Sequence, residues 1–373
     1  MEVDLPEAIS AALPNSIARA QAMRDGGQRI VGIIGPGVPE ALVLAFGAVP
    51  LPIIAGNRDT PLANAFVPGE AAQLKALAEP VLDGTLAFLD LLIVTRSHEW
   101  LYYTLKEAVR IGEGVVPPLH LHDFVPNRSE GTTRYNRRQF EQLEDALARS
   151  TGSVPDSAAL QEAIGAIDRR NTCLGTLQQL RDAGKVPGST ALAIIAASKV
   201  MAPDDFIATV DPWLIASAAT HPTAQPRLLL LPSEATDLLA VHRLAEAAGA
   251  TVVAEDSDWG SRSAVPTFED GGLLDALIAA AMAASNGPEV QPRSARTRWA
   301  ESQIGRSDIG GVIFAMPRSD RRFGWDYPAL RDRVAAAGKP ALLLRDDPKT
   351  DAAAASMTLG AFVAQLSGQG KAA

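Results

Sequence analysis

Eight short, mostly apolar runs, separated by longer stretches with helical patterning, limit what this chain can fold into. The runs are Ile30–Gly35, Leu51–Ala55, Leu89–Thr95, Leu119–Phe124, Arg227–Leu231, Thr251–Glu255, Gly311–Met316 and Ala341–Arg345. Continuous apolar runs of this length are typical of strands buried on both faces of a parallel sheet. Because they alternate with helical stretches, the sequence predicts an α/β fold of mainly parallel sheets flanked by helices, a Rossmann-like arrangement.

The first four runs and the last four resemble each other. In each set the third run is followed by arginine and serine, as Arg96-Ser97 and as Arg318-Ser319. Each first run leads through a short turn into an apolar helical stretch, 35–46 in one half and 233–248 in the other. We therefore expect two similar lobes. The alternative is a chance likeness between two common doubly wound units.

The same patterns divide the chain into four parts. We expect N-terminal helices over 1–29, a first α/β lobe over 30–125, a helical connector packing on that lobe over 126–225, and a second α/β lobe over 226–373. The connector is indicated by apolar residues at helical spacing, which are Leu160, Ile164, Ile167 and Leu174. The most apolar stretch, Leu273–Ala284, is shorter than the about 20 residues of a membrane span and predicts a buried helix.

Composition excludes several classes of partner and site. A net charge of −9 argues against a surface for nucleic acid or an anionic membrane. The acidic start and the lack of a long apolar run predict no signal peptide and no membrane span, so we expect a cytoplasmic protein. The single cysteine, Cys173, excludes an internal disulfide and any cage of several cysteines on this chain. Its helical spacing with Leu177 and Leu180 predicts a buried structural thiol.

Ligands of open α/β sheets bind beyond the carboxyl ends of the strands. The loops at those ends, 35–40, 96–99, 255–262 and 318–322, are polar and contain several arginines, which suit a phosphate or carboxylate. The competing interpretation is that they are ordinary solvated loops. The expected substrate-binding residues are Gly35, Gly37, Arg96, Ser97, Ser261, Arg262, Arg318 and Ser319. The candidates for acid–base catalysis are His98, Glu99, Glu40 and Asp258.

Three other patterns carry less weight. The glycines after the first run match neither the dinucleotide-binding pattern nor a P-loop. His120 and His122 alternate on one predicted strand beside Asp123, but no third ligand lies at metal spacing. A histidine pair at a strand edge or end is therefore favoured, and no metal site is predicted. The sequence shows no Ser–His–Asp order and no G-x-S-x-G pattern.

Longer segments resemble the subunits of one known family. They are VGIIGPGVPEALVLAFGAVPLPI at 31–53, LLIVTRSHEW at 91–100, PPLHLHDFVPNRSEGTTRY at 117–135, and two further segments at 227–262 and 310–347. In this order they resemble subunits of 2-hydroxyacyl-CoA dehydratases and benzoyl-CoA reductases, such as the 2-hydroxyglutaryl-CoA dehydratase D-component. The resemblance implies two α/β lobes, a homologous partner subunit and an acyl-CoA thioester in the cleft. It also implies a [4Fe–4S] cluster held by three cysteines, and a separate ATP-hydrolysing activator that supplies electrons.

The chain departs from the family at the positions that the resemblance assigns to the cluster. Two of the cysteines correspond to Ser97 and Ser319, and the third falls near Val67. Serine is a poor substitute for a thiolate at iron, and valine offers no donor atom. We therefore expect no cofactor on this chain and an iron–sulfur cluster only in a partner subunit. The glutamate that the family places near the substrate corresponds to Ala41, one residue after Glu40.

These departures leave three functional hypotheses. The first is a cluster-less, non-catalytic or repurposed subunit of a lyase- or reductase-type complex that processes acyl-CoA. It would pair with a cluster-bearing homologue as a heterodimer, or with itself as a homo-oligomer. The second is a stand-alone enzyme with redox-free chemistry on an acyl-CoA thioester. The third is a binding protein for acyl-CoA or another anionic metabolite.

Overall fold

The computed structural model describes residues 3–56, 58–67, 72–112, 114–127, 129–233, 236–263, 273–284, 290, 292–318, 320, 323–348 and 350–369. The strands are β1 (Arg29–Ile34), β2 (Ala48–Pro52), β3 (Leu91–Thr95), β4 (Leu119–His122), β5 (Arg227–Pro232), β6 (Thr251–Glu255), β7 (Gly311–Ala315) and β8 (Ala341–Leu344). The helices are α1 (Glu7–Ser10), α2 (Ser16–Asp25), α3 (Glu40–Ala45), α4 (Pro61–Phe66), α5 (Ala72–Leu82), α6 (Glu99–Ile111), α7 (Glu130–Thr151), α8 (Ser157–Asp182), α9 (Gly188–Val200), α10 (Pro203–Ala218), α11 (Leu238–Ala247), α12 (Leu273–Ala284), α13 (Arg293–Ile304), α14 (Tyr327–Ala336) and α15 (Ala352–Gln369).

The strands form two four-stranded parallel sheets with the same strand order. The first sheet runs β2-β1-β3-β4 and the second runs β6-β5-β7-β8. All eight apolar runs of the sequence therefore contribute a strand, and the predicted α/β fold with two lobes is confirmed.

One strand lies earlier in the chain than its apolar run. The run Leu51–Ala55 predicts the second strand, whereas β2 pairs with β1 from Ala48 to Pro52. β2 is an edge strand, so one side of its backbone needs no strand partner, and it tolerates the missing N–H groups of Pro50 and Pro52.

Helices cover both faces of each sheet with their apolar side chains. This explains why the apolar runs of the strands are continuous and do not alternate with polar residues. Every residue of β3 and of β7 is buried. In the first lobe, α3, α7 and α8 cover one face and α5 and α6 the other. In the second lobe, α11 and α15 cover one face and α13 and α14 the other.

The connector helices touch both lobes. The first half of α8 packs against α3 through residues that include Leu160 and Ile164. Its second half reaches β6, where Arg181 Nε donates to the Val252 carbonyl oxygen at 3.1 Å. α9 contacts both β2 and β6, so it lies beside the outer strand of each sheet and shields those edges.

α12 lies within the second half of the chain but packs on the first lobe. Leu277 and Ile278 lie in the core that α7 and α8 share with the first sheet. The predicted buried helix over Leu273–Ala284 is thus confirmed. Among the ranges described above, no helix is long and apolar enough to cross a membrane.

Candidate functional site

The strand order places a topological switch point between β1 and β3. From β1 the chain moves outward to β2 and then returns to the other side at β3, so the loops after β1 and β3 adjoin. Gly35, directly after β1, has a φ of +93°, which favours glycine. A Cβ there would lie 2.1 Å from Thr95 Oγ1 and 2.9 Å from Ser97 Oγ. Gly35 is therefore what lets the two loops come together.

Two hydroxyls and an imidazole form a chain in the turn after β3. Ser97 Oγ lies 3.0 Å from Thr95 Oγ1 and 3.1 Å from His98 Nδ1. Thr95 is buried at 2% exposure, whereas Ser97 and His98 are half-buried. The structure thus brings Ser97 and His98 together beside Gly35, and Thr95 joins them from the end of the strand.

Arg96 is held at the same edge of the sheet by a network that sequence reasoning missed. Its Nη1 donates to Asp123 Oδ1, and the Tyr135 hydroxyl donates to the other carboxylate oxygen of Asp123. The hydrogen bond to Asp123, with burial and the charge of Asp123, raises the pKa of Tyr135 to about 12. The Arg96 side chain remains 43% exposed, so an anion at the edge of the sheet has access to it.

Glu40 and Ala41 lie at the start of α3. The Glu40 carboxylate forms an ion pair with Arg170 of α8. Arg170 Nη1 also donates to the Ser198 carbonyl oxygen at 3.0 Å, so Glu40 ties the first lobe to the connector. Ala41 is buried in the core at 1% exposure. The Glu40 carboxylate is therefore engaged by the connector through Arg170.

His120 and His122 lie on β4 with their ring centroids 6.5 Å apart. His122 is fully buried and stacks on Phe124 with the rings 6.1 Å apart. Burial, with the neighbouring His120, lowers the pKa of His122 to about 3, and burial, with the charge of Arg149, lowers that of His120 to about 4. Both rings are therefore neutral at pH 7. Within the described ranges, no three His, Cys, Asp or Glu side chains are grouped to hold a metal ion.

Glu255, at the end of β6, is the centre of a polar cluster in which Glu255, Arg181 and His242 are fully buried. Arg181 of α8 binds it with both terminal nitrogens, and the Nη1–Oε1 distance is 3.0 Å. His242 Nε2 lies 3.2 Å from Oε2, and the Ser261 hydroxyl donates to Oε1 at 3.1 Å. Although burial opposes ionisation, the Arg181 charge and these hydrogen bonds hold the pKa of Glu255 well below its usual range. Gly260 makes room, because a Cβ there would lie 2.2 Å from Glu255 Oε1.

The remaining candidates lie at the strand ends of the second lobe. Arg262 Nη1 donates to Asp256 Oδ1 at 3.2 Å, and its guanidinium lies 5.8 Å from the centre of the Trp299 ring. Asp258 accepts a hydrogen bond at its backbone oxygen from Ser263 at 2.6 Å. Arg318 is exposed after β7, and the predicted site residue Ser319 lies outside the described residues.

The sequence contains a signal for the missed cluster around Glu255. Arg181 lies four residues after Leu177, so it occupies the apolar stripe of α8 and is itself fully buried. A charged residue in such a stripe predicts a buried partner. The partner itself lies 74 positions further along the chain, a distance that local pattern does not bridge.

Comparison with known proteins adds three findings. The sequence profile of the family described as 2-hydroxyglutaryl-CoA dehydratase, D-component, matches residues 37–366. No curated protein matches the chain. Among solved structures, the crystal structure of a hypothetical protein from Thermus thermophilus is 12% identical and covers 97% of this chain and 86% of its own. Its TM-score of 0.19 is too low to support any inference about the fold.

Proposed function

The chain belongs to the family of the 2-hydroxyglutaryl-CoA dehydratase D-component, and on that premise we propose that it is a cluster-less subunit of a complex that processes acyl-CoA thioesters. The family description names one component of a dehydratase, which supports a role beside a partner. The observation that carries the proposal is the chemistry of the side chains at the positions that correspond to cluster cysteines.

Those side chains do not fit an iron–sulfur cluster. Ser97 offers a hydroxyl that already bonds to its neighbours. Val67 offers no donor atom and is buried at 8% exposure in the apolar core beneath β3 and α6. Iron in such clusters is held by thiolates, so neither position substitutes for cysteine.

Cys173 does not replace the missing thiolates. It lies on α8 at 8% exposure, packed among the apolar residues of the connector, as the sequence predicts. Its Sγ lies 3.1 Å from Asp211 Oδ1, and burial together with this carboxylate raises the pKa of the thiol to about 12. A thiol held in its protonated form is a poor metal ligand. The proposed subunit accordingly leaves electron transfer to its partner.

The strand ends support the acyl-CoA part of the proposal. Arg96 and Arg318 are both exposed after the inner strands β3 and β7, and Arg262 lies in the loop that follows β6. Guanidinium groups bind phosphate oxygens with two hydrogen bonds, and coenzyme A carries three phosphates. Arginines at three strand ends of an otherwise acidic protein suit such a ligand.

Co-expression with a homologous subunit that carries the cysteines tests the proposal. We expect the two chains to elute together from a size-exclusion column in equal amounts, with the iron and sulfide accounted for by the partner chain. A complex in which the partner's cysteines are replaced by serine should keep both chains and lose the iron. Separate elution of the two chains, with this chain stable alone, would contradict the proposed subunit role.

A further inference from the structure

We propose that Ser97 is a nucleophile with His98 as its general base, and that together they transfer the acyl group of a thioester or activated ester to water. The choice of a thioester rests on the proposed function, whereas the nucleophile itself rests on the geometry alone. The Ser97 Oγ to His98 Nδ1 distance of 3.1 Å is within the reach expected of a serine and its base.

The hydrogen bonds define how Ser97 is activated. When His98 is neutral with its proton on Nε2, Nδ1 accepts the Ser97 proton and the Thr95 hydroxyl donates to Ser97 Oγ over 3.0 Å. A chain of hydroxyl donors ending on an imidazole polarises the central oxygen. Thr95 is buried and fixes the chain from the strand side. Ser97 is half-buried and follows the carboxyl end of β3, the end of a parallel strand at which ligands of α/β sheets bind.

The backbone around Ser97 favours negative charge on the attacked substrate. Ser97 lies in the turn between β3 and the thirteen-residue helix α6. The first N–H groups of a helix have no partner within it, and the His98 side chain does not cap α6. The Glu99 N–H, the first of α6, already donates to the Arg96 carbonyl oxygen, so α6 supports an oxyanion through the positive end of its dipole. This strand–nucleophile–helix order is that of the α/β-hydrolases, although their G-x-S-x-G pattern is absent.

The reaction needs no electron donor. Ser97 Oγ attacks the carbonyl carbon while its proton passes to His98 Nδ1. The C–S bond then breaks, and the departing thiolate takes the proton from His98, which leaves an ester on Ser97. Water, deprotonated by His98, hydrolyses that ester to a carboxylic acid and restores the serine. Every proton and electron pair is accounted for without a cluster.

A fluorophosphonate probe followed by peptide mass spectrometry tests the nucleophile. We expect the label on Ser97 in the full-length wild-type protein, with cleavage of p-nitrophenyl acetate. Ser97→Ala should abolish both signals, and His98→Gln should lower both by on the order of a hundredfold. Ser302→Ala, an exposed serine on α13, is the matched control and should leave both unchanged. Absence of label on Ser97, or cleavage that survives Ser97→Ala, would overturn the proposal.

A second variant separates activation from a purely structural hydrogen bond. In Ser97→Cys, a basic His98 should make the new thiol react with iodoacetamide at pH 7 on the order of tenfold faster than in Ser97→Cys/His98→Gln. The native Cys173 does not interfere, because it is buried and its pKa is raised to about 12. If both variants fold and are alkylated at equal rates, the hydrogen bond between residues 97 and 98 only stabilises the fold, and the proposal is overturned.

The assays also distinguish this inference from the proposed function. If Ser97 is labelled but neither acetyl-CoA nor longer acyl-CoA esters are cleaved, Ser97 is a nucleophile and thioesters are not its substrate. If Ser97 is not labelled, the proposed nucleophile is wrong. The co-expression and iron measurements that test the subunit role are unaffected by that result. Label together with CoA release, detected as free thiol, is the result expected if both hold.

Discussion

At the scale of single residues, the buried pair of Arg181 and Glu255 leads to a prediction about stability. Both side chains are fully buried, and each is the main partner of the other. Replacing one partner leaves an uncompensated charge in the core, which typically costs about 3–5 kcal/mol. Arg181→Met and Glu255→Gln should each lower the free energy of unfolding in urea by about 3 kcal/mol or more.

The exposed pair of Arg331 and Asp332 supplies a matched control for that prediction. Arg331→Met removes the same kind of ion pair from the surface, where solvent screens it, and should leave the urea midpoint unchanged. If Arg181→Met were as mild as Arg331→Met, the buried cluster would not be holding α8 to the second lobe.

The lowered pKa values of His120 and His122 predict that the free energy of unfolding falls in acid. Because burial lowers the pKa of His122 to about 3 and that of His120 to about 4, the unfolded chain binds more protons than the folded chain below pH 6.5. Their contribution is present above pH 6.5 and falls by about 1.4 kcal/mol per pH unit and ring as the pH drops toward these values.

His122→Phe isolates this effect, since a phenyl ring can stack on Phe124 and does not titrate. Urea unfolding between pH 7 and 4.5 should show a shallower pH dependence in this variant than in wild type. The same change at the exposed His221 is the control and should leave the slope as it is. A His122→Phe slope equal to that of wild type would show that this ring is not kept neutral.

Positions of single residues are predictable where a strand end marks them or where helical spacing does, as for the buried Cys173. Gly35 ends one apolar run, Ser97 and His98 follow another, and the structure places all three at one switch point. The bond of Glu40 to Arg170 joins residues 130 positions apart, so no local pattern reveals it. The same holds for the partner of Arg181.

At the scale of elements, the turn from β1 to α3 depends on one glycine. Gly35→Ala introduces a Cβ into an occupied space and also strains a positive φ, whereas Gly47→Ala meets only the strain of its φ of +72°. Gly47→Ala should cost about 1–2 kcal/mol in the free energy of unfolding.

Gly35→Ala should cost more than Gly47→Ala in the same urea titration, because the loops of the switch point must move apart. It should also lower labelling of Ser97 by the fluorophosphonate probe, which Gly47→Ala should not. Equal costs and equal labelling would mean that the close approach of the two loops is unimportant.

Strand identity follows from apolar runs, but strand ends depend on pairing. β2 begins at Ala48 because β1 offers a partner there, although the apolar run begins at Leu51. For α12, the sequence predicts its bounds and its burial, since both depend on local composition. It does not predict that α12 packs on the first lobe, since periodicity shows that a face is buried and not what covers it.

At the scale of the whole molecule, three helices join two lobes of like topology. α8 contributes Arg170 to the first lobe and Arg181 to the second, and α9 contacts β2 and β6. α12 comes from the second half of the chain and packs on α7 and α8. The sequence predicts the two lobes because their strand patterns repeat. That these helices link the two lobes depends on tertiary packing, which the residue pattern of a single helix does not predict.

Binding of coenzyme A tests the arginines at the ends of both sheets. Isothermal titration of the full chain with an acyl-CoA ester should detect binding, and Arg96→Ala and Arg318→Ala should each weaken it by on the order of tenfold, as expected for a charged hydrogen bond. Arg110→Ala removes an exposed arginine near the far end of α6 and should leave the affinity unchanged. If Arg96→Ala and Arg318→Ala both bind the acyl-CoA ester with wild-type affinity, the ligand binds elsewhere.

The most direct test of the cluster-less subunit is anaerobic reconstitution of the full chain with iron and sulfide, followed by desalting and metal analysis. A cysteine-bearing subunit of the family, treated in parallel, supplies the positive control. We predict that this chain retains neither iron nor sulfide and stays colourless, because the proposal places serine and valine where the family resemblance implies cysteine ligands. Stoichiometric iron and sulfide with broad visible absorbance would contradict the account.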